Sequence, residues 1–153
     1  MTISRRELLA GLASVPVVGS LGAAQAATID TADRFDPWLE IDASAFKSNV
    51  QTISKLAGGR PILAVIKNNA YGLGLTTVAP LLAPHREVAG FAVVKTAEAI
   101  ALREAGITKP ILLLGLFAAA DGPLLAKHGI QFSVCTDDAA ARIERAGKAA
   151  GVR

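Results

Sequence analysis

Short apolar runs alternate with stretches of helical periodicity along most of this chain. Four such runs cover residues 61–66, 90–94, 110–114 and 130–134. Runs that are apolar at successive positions are typical of strands that are buried on both faces. Because helical stretches separate them, the pattern predicts an α/β fold with a parallel sheet made of about four βα units.

A strand and a helix are predicted before the first of these units. Residues 38–42 (WLEID) alternate between apolar and polar side chains, which indicates a short, half-buried strand. Asp42 or Ser44 can cap a following helix, because a short side-chain oxygen accepts hydrogen bonds from free backbone amides. The apolar stripe of that helix is Phe46, Val50, Ile53 and Leu56, and Gly58 ends it.

The later helices have start signals of the same kind. We expect helices over residues 76–83, 96–105 and 121–127, and a last helix that reaches residue 149. Thr96 is the predicted cap of the second of these, with Glu98 in its first turn, where a negative charge suits the helix dipole. Thr136 or Asp137 is the predicted cap of the last helix.

Two architectures fit a sheet of this kind. An eight-unit (β/α)8 barrel needs roughly 250 residues, whereas this chain has 153 residues, so it would form only the first half. An open, doubly wound sheet fits the length better. However, no G-x-G-x-x-G motif follows the first strand to support a dinucleotide site.

Composition narrows the classes of function. The chain is 52% hydrophobic with a net charge of +3, which suits a folded protein and not a disordered one. Basic residues form no stripe with interleaved aromatic residues, so we expect no nucleic-acid partner. The single cysteine, Cys135, excludes an internal disulfide, and His85 and His128 are far apart in sequence, so no metal site is predicted.

Residues 1–26 have the three parts of a secretory signal peptide: a basic start, an apolar middle and a small-residue end. The segment SRRELL resembles a twin-arginine signal, with Arg5 and Arg6 as the pair. Ala24-Gln25-Ala26 fits a cleavage site, which predicts a periplasmic mature protein with no membrane segment. The alternative is an uncleaved anchor, although Pro16 and several glycines interrupt the apolar stretch. Residues 27–37 are predicted to be irregular, and residues 38–153 to form one domain.

The segment AVIKNNAYGLG, residues 64–74, places a lysine directly after an apolar run. It resembles the cofactor-lysine motif A-V-[VI]-K-[AS]-[ND]-A-Y-G-H-G of alanine racemases, the fold-type III enzymes that use pyridoxal phosphate. WLEIDASAFKSNV before it and FAVVKTAEAIALREAGITKPILLLG after it resemble two further motifs of that family. The resemblance therefore runs from Trp38 to Gly115.

The resemblance implies a barrel fold, pyridoxal 5'-phosphate as cofactor, an amino-acid substrate and a homodimer. It implies that Lys67 is the catalytic residue and forms a Schiff base with the cofactor, and that Tyr71 approaches the cofactor phosphate. The chemistry agrees, because a neutral amine attacks an aldehyde and a phenol donates to a phosphate oxygen. Val65 and Ile66 are expected to desolvate the amine and so favour its neutral form. Gly72 and Gly74 would lead into a helix whose N-terminus favours an anion.

The chain departs from the family pattern in three ways. Asn68 stands where alanine or serine is usual, and Leu73 stands where histidine is usual, so we expect a substrate range that differs from alanine alone. The sequence ends before the family's next motif, and the second catalytic base of the family, a tyrosine of the partner subunit, has no counterpart. We therefore expect the N-terminal domain of an alanine or broad-specificity amino-acid racemase. The alternatives are a non-catalytic half barrel that binds pyridoxal phosphate, or an inactive truncated product.

Overall fold

The computed structural model describes residues 39–152. One sheet contains four strands: β1 (Ile62–Val65), β2 (Val88–Val93), β3 (Ile111–Leu113) and β4 (Gln131–Phe132). Five helices alternate with them: α1 (Ala43–Leu56), α2 (Leu75–Leu82), α3 (Thr96–Glu104), α4 (Gly122–Lys127) and α5 (Ala139–Ala150). A 3-10 turn, Ala119–Asp121, leads into α4. The predicted alternation of strands and helices is confirmed.

The order of the strands distinguishes the two predicted architectures. The sheet has the order β1-β2-β3-β4, and each neighbouring pair is parallel. A doubly wound sheet reverses its strand order at a switch point, whereas a barrel adds each strand beside the previous one. The predicted first half of a (β/α)8 barrel is therefore confirmed, and the open doubly wound sheet is wrong.

The core lies between the helices and one face of the sheet. Phe91, Ile111 and Leu113 have no accessible surface, and they share a cluster with Leu102 of α3 and Leu125 of α4. The opposite face is different at its β1 edge, where Leu63 is 45% and Val65 is 41% exposed. Since alternate strand residues point to opposite faces, residues 39–152 half-bury the face of β1 that carries Ile62 and Ala64 and leave the other accessible.

Arg103 of α3 ties together the segments that lead into β3 and β4. Its guanidinium donates from Nε to the carbonyl of His128 (2.9 Å), and from Nη1 to the carbonyls of Ile107 and Lys109 (2.7 Å each). Nη2 adds a longer bond to the Gly129 carbonyl (3.3 Å). Burial lowers the pKa of Arg103 below its ordinary value. These bonds fix two loops at the amino ends of the strands.

The strand predicted over residues 38–42 is wrong for the part of it that the structure describes. Residues 39–42 form no strand, because within the described chain they pair with no neighbouring strand, and alternation alone does not supply the hydrogen bonds of a ladder. Asp42 instead caps α1, as predicted, and its Oδ1 accepts from the Ser44 amide at 2.7 Å. Trp38 lies outside the described residues.

Two predicted helix caps are also wrong. Thr96 is the first residue of α3, and Lys95 occupies the cap position, where its backbone amide donates to Glu98 Oε2 at 3.3 Å. The last helix begins at Ala139 with Asp138 as its cap residue, and the Thr136 hydroxyl donates to the Asp138 carboxylate at 2.7 Å. Thr96 lies one position after the N-cap of its helix, and Thr136 lies two positions before the N-cap of the last helix.

The predicted signal peptide (1–26) and irregular segment (27–37) lie outside the described residues. Within residues 39–152, no helix has both the length and the apolar character that crossing a membrane requires.

Candidate functional site

Lys67 lies at the carboxyl end of β1, as the sequence predicts. The Ile66 amide still donates to the Ala92 carbonyl of β2 at 2.9 Å, so the sheet pairing continues up to the residue before the lysine. Ile66 is 4% exposed, but Val65 is 41% exposed. Of the two residues expected to desolvate the amine, only Ile66 is buried, and Lys67 itself is half-buried.

The chain after Lys67 forms a left-handed turn, defined here as Asn68–Tyr71. The φ angles of its four residues are 53°, 56°, 52° and 56°. A non-glycine residue in this conformation costs roughly 1–2 kcal/mol, and asparagine is the residue that tolerates it best after glycine. Four in succession require support from outside the turn.

Two side chains provide that support. Glu98 of α3 accepts a hydrogen bond from the Asn69 amide through Oε1 at 2.9 Å. Asn69 in turn accepts from the Leu75 amide, the first residue of α2, through Oδ1 at 2.8 Å. The turn is thus held to α3 on one side and to α2 on the other.

Neither Asn69 nor Glu98 is a site residue in the sequence interpretation. The sequence indicates for Glu98 only a favourable interaction with the dipole of α3. The signal that could have revealed Asn69 is the pair Asn68-Asn69, since asparagine is enriched in the left-handed region. The partnership with Glu98 spans 29 positions and has no local sequence signature.

Tyr71 is the last residue of the left-handed turn and is 63% exposed. It also contributes to the lining of an apolar cavity of about 330 Å³, together with Phe46, Ile53, Ala64 and Leu73. The lining is mostly apolar, although it also includes Asn49. Tyr71 is mostly exposed, and a phenol hydroxyl can donate to a phosphate oxygen.

The start of α2 is less open to an anion than the sequence suggests. Gly72 and Gly74 have φ angles of 91° and 94°, so these positions do need glycine. However, the Leu75 amide already donates to Asn69, and the Thr77 and Val78 amides donate to the Gly74 carbonyl at 3.2 and 2.9 Å. Three amides near the helix start therefore already have partners.

Residues 39–152 present no metal-binding cluster and one cysteine. Cys135 is exposed, and the described residues contain no group of three or more histidine, cysteine, aspartate or glutamate side chains that could hold a metal ion. The ion pairs formed within residues 39–152 involve the cations Arg86, Arg142 and Lys148. Lys67 is engaged in none of these ion pairs.

The donor set fits pyridoxal phosphate in part. Lys67 supplies an amine for the cofactor aldehyde, and the exposed Tyr71 hydroxyl, four residues later, supplies a donor for a phosphate oxygen. Lys67 directly precedes the left-handed turn and Tyr71 ends it, at the carboxyl end of β1, the end at which barrel folds hold their chemistry. Tyr71 is the only tyrosine in the sequence, so a second tyrosine that moves protons is not among these 153 residues.

The chain is similar to known proteins over most of the described region. The family model "Alanine racemase, N-terminal domain" matches residues 41–153. An alanine racemase of Mannheimia succiniciproducens is 42% identical over 109 residues, which cover 71% of this chain and 30% of that protein. An alanine racemase of Ligilactobacillus salivarius is 45% identical over 97 residues, with 63% and 26% covered.

Solved structures agree with this similarity. Alanine racemase from the D-cycloserine producer Streptomyces lavendulae superposes with a TM-score of 0.67 at 30% identity, over 72% of this chain and 29% of that one. Alanine racemase of Clostridium difficile 630 in complex with cycloserine gives a TM-score of 0.63 at 35% identity, over 71% and 29%. The chain therefore spans about 30% of the length of these relatives.

Proposed function

Since this chain belongs to the family of alanine racemase N-terminal domains, we propose that it is the lysine-bearing part of a pyridoxal-phosphate-dependent amino-acid racemase. The substrate is alanine or a related amino acid. The observation that carries the proposal is the place of Lys67, at the carboxyl end of β1 and directly before a supported left-handed turn.

Each residue of the proposed site has a distinct task. Pyridoxal phosphate, when bound, withdraws electrons from the substrate Cα and makes its proton acidic. Lys67 Nζ would hold the cofactor through its aldehyde, and its amine would move a proton on one face of the substrate Cα. The Tyr71 hydroxyl donates to the phosphate and orients the cofactor. Interconversion of L- and D-amino acids also needs a proton carrier on the opposite face.

A titration of the purified chain with pyridoxal phosphate tests this proposal. Binding is followed by cofactor absorbance, and the Lys67→Ala variant should lose the covalent signal. Lys47→Ala, a change of an exposed lysine on α1, is the matched control and should bind like the wild type. Tyr71→Phe should bind about tenfold more weakly, the loss expected for one hydrogen bond to a charged group.

Activity measured on the same preparation tests whether the chain alone has all the groups that racemisation requires. With one proton carrier in the chain, we expect no exchange between D- and L-alanine by this chain alone. Binding without exchange also fits the non-catalytic cofactor-binding half barrel, whereas exchange by the chain alone would refute our count of the required groups. An unchanged covalent signal in Lys67→Ala would refute the site.

Export by the twin-arginine route to the periplasm is a second part of the proposal. It is supported by Arg5, Arg6 and the Ala24-Gln25-Ala26 end of the leader. A reporter fused after Ala27 should reach the periplasm, and changing both arginines to lysine should retain it in the cytoplasm. Export that survives this double change would remove the twin-arginine assignment.

A further inference from the structure

Glu98 is the only buried charged side chain among residues 39–152, with 9% of its surface exposed. Its two carboxylate oxygens are used by two backbone amides. Oε1 accepts from Asn69 at 2.9 Å, and Oε2 accepts from Lys95 at 3.3 Å. A buried carboxylate is costly unless such bonds replace its hydration, so its place in the core needs an explanation.

The two amides come from the carboxyl ends of neighbouring strands. Asn69 belongs to the left-handed turn after β1, and Lys95 lies two residues after β2 ends. Glu98 therefore connects the segment that carries Lys67 to the end of the next strand. Since β2 is buried at five of its six positions, Glu98 connects the turn to a largely buried strand of the sheet.

The turn depends on this connection because its backbone is unfavourable. Ala70, 2% exposed with a φ of 52°, has neither the freedom of glycine nor the local hydrogen bonding of asparagine. Without the carboxylate, the Asn69 amide would be left unpaired in a partly buried place. The chain after Lys67 would then relax towards a right-handed or extended conformation.

We propose that Glu98 is a positioning residue that holds the left-handed turn and, through it, sets the placement of Lys67 and Tyr71 relative to each other. The inference rests on the proposed function, because it assigns Glu98 a role at the same cofactor site. Glu98 is assigned no contact with cofactor or substrate, and it acts through the backbone amides of Asn69 and Lys95.

The test compares Glu98→Gln with Glu104→Gln in the 153-residue chain. Glutamine keeps the size of the side chain but offers one acceptor oxygen, and its amide group would face the second backbone donor. Glu104 is on the same helix and is exposed, so its variant controls for the change of charge. Two quantities are measured: the affinity for pyridoxal phosphate by absorbance, and the exchange of individual backbone amide protons by NMR.

For Glu98→Gln we expect a ten- to hundredfold weaker affinity, the equivalent of about one charged hydrogen bond. Exchange should accelerate at Asn69, Lys95 and Leu75, while the amides of Phe91 and Leu113 in the sheet stay protected. Glu104→Gln should match the wild type in both measurements. Asn69→Ala is the second variant, in case Glu98→Gln does not fold. It removes the acceptor for the Leu75 amide without changing the buried carboxylate, and it should also weaken the affinity and accelerate the exchange at Leu75.

Three outcomes would overturn the inference. One is wild-type affinity for pyridoxal phosphate in both Glu98→Gln and Asn69→Ala. Another is unchanged exchange at Asn69 and Leu75 in Glu98→Gln. The third is exchange that accelerates equally across the sheet, because this would make Glu98 a residue of general stability. Failure of the wild type to bind pyridoxal phosphate would instead refute the proposed function, and the exchange at Asn69 would still decide whether Glu98 holds the turn.

Discussion

Asn68 has one interpretation from the family motif and another from the backbone conformation. In the sequence it is a departure from the alanine or serine of the family motif, and it predicts a changed substrate range. In the structure its φ is 53°, a value that asparagine tolerates better than alanine or serine. Asn68 therefore has a conformational role at the start of the left-handed turn, and its effect on substrates stays a prediction.

Substitutions at Asn68 should follow this backbone preference. Asn68→Ala should lower the free energy of unfolding by about 1 kcal/mol, because alanine is disfavoured in the left-handed region. Asn68→Gly should stay within about 0.5 kcal/mol of the wild type, because glycine adopts a positive φ freely. Urea unfolding at one fixed protein concentration measures both, and equal losses in the two variants would show that the backbone preference is not the cause.

The position of Lys67 could be predicted from sequence, but its surroundings could not. An apolar run that ends at a lysine is a local pattern, and the structure places that lysine at the strand end. The left-handed turn depends on Glu98 and Leu75, which approach Asn69 only once the sheet has formed. Short-range patterns carry no information about such partners.

At the scale of elements, periodicity predicted the strands well and the caps poorly. The second apolar run was predicted at residues 90–94, and β2 covers Val88–Val93. β4 is shorter than its run, with only Gln131–Phe132 in the strand, where it pairs with β3. A cap depends on side-chain geometry within one residue, and Thr96 and Thr136 show that composition alone does not determine it.

Arg103 provides a test at this scale. Arg103→Lys keeps the positive charge but loses the planar fork that reaches four carbonyls, so it should destabilise the fold by about 1–3 kcal/mol. Arg145→Lys, at an exposed position of α5, is the matched control and should change stability by less than about 0.5 kcal/mol. The unfolding midpoint in urea compares them, and similar midpoints would mean that the four bonds contribute no net stability.

At the scale of the molecule, the face of β1 that carries Leu63 and Val65 exposes apolar side chains at an edge of the sheet. Apolar side chains on an edge strand favour association, because water meets both the side chains and the unpaired backbone groups. We expect the chain to form dimers or larger assemblies at micromolar concentration.

The association should respond to a change on that face. Val65→Ser should shift the mass distribution towards the monomer, whereas Leu124→Ser, at a 48% exposed position on α4, should leave it unchanged. Light scattering coupled to size-exclusion chromatography measures both. A sharp monomer peak with cooperative thermal unfolding in the wild type would contradict the prediction and indicate a self-sufficient fold.

The most direct test of the central claim, that Lys67 is the residue that binds pyridoxal phosphate, is to locate the bond. The chain is mixed with pyridoxal phosphate and reduced with borohydride, which converts a carbon–nitrogen double bond into a stable amine. Peptide mass spectrometry then assigns the modified lysine. The account predicts that the modification concentrates on Lys67 and disappears in Lys67→Ala, and a label spread evenly over the exposed lysines would contradict it.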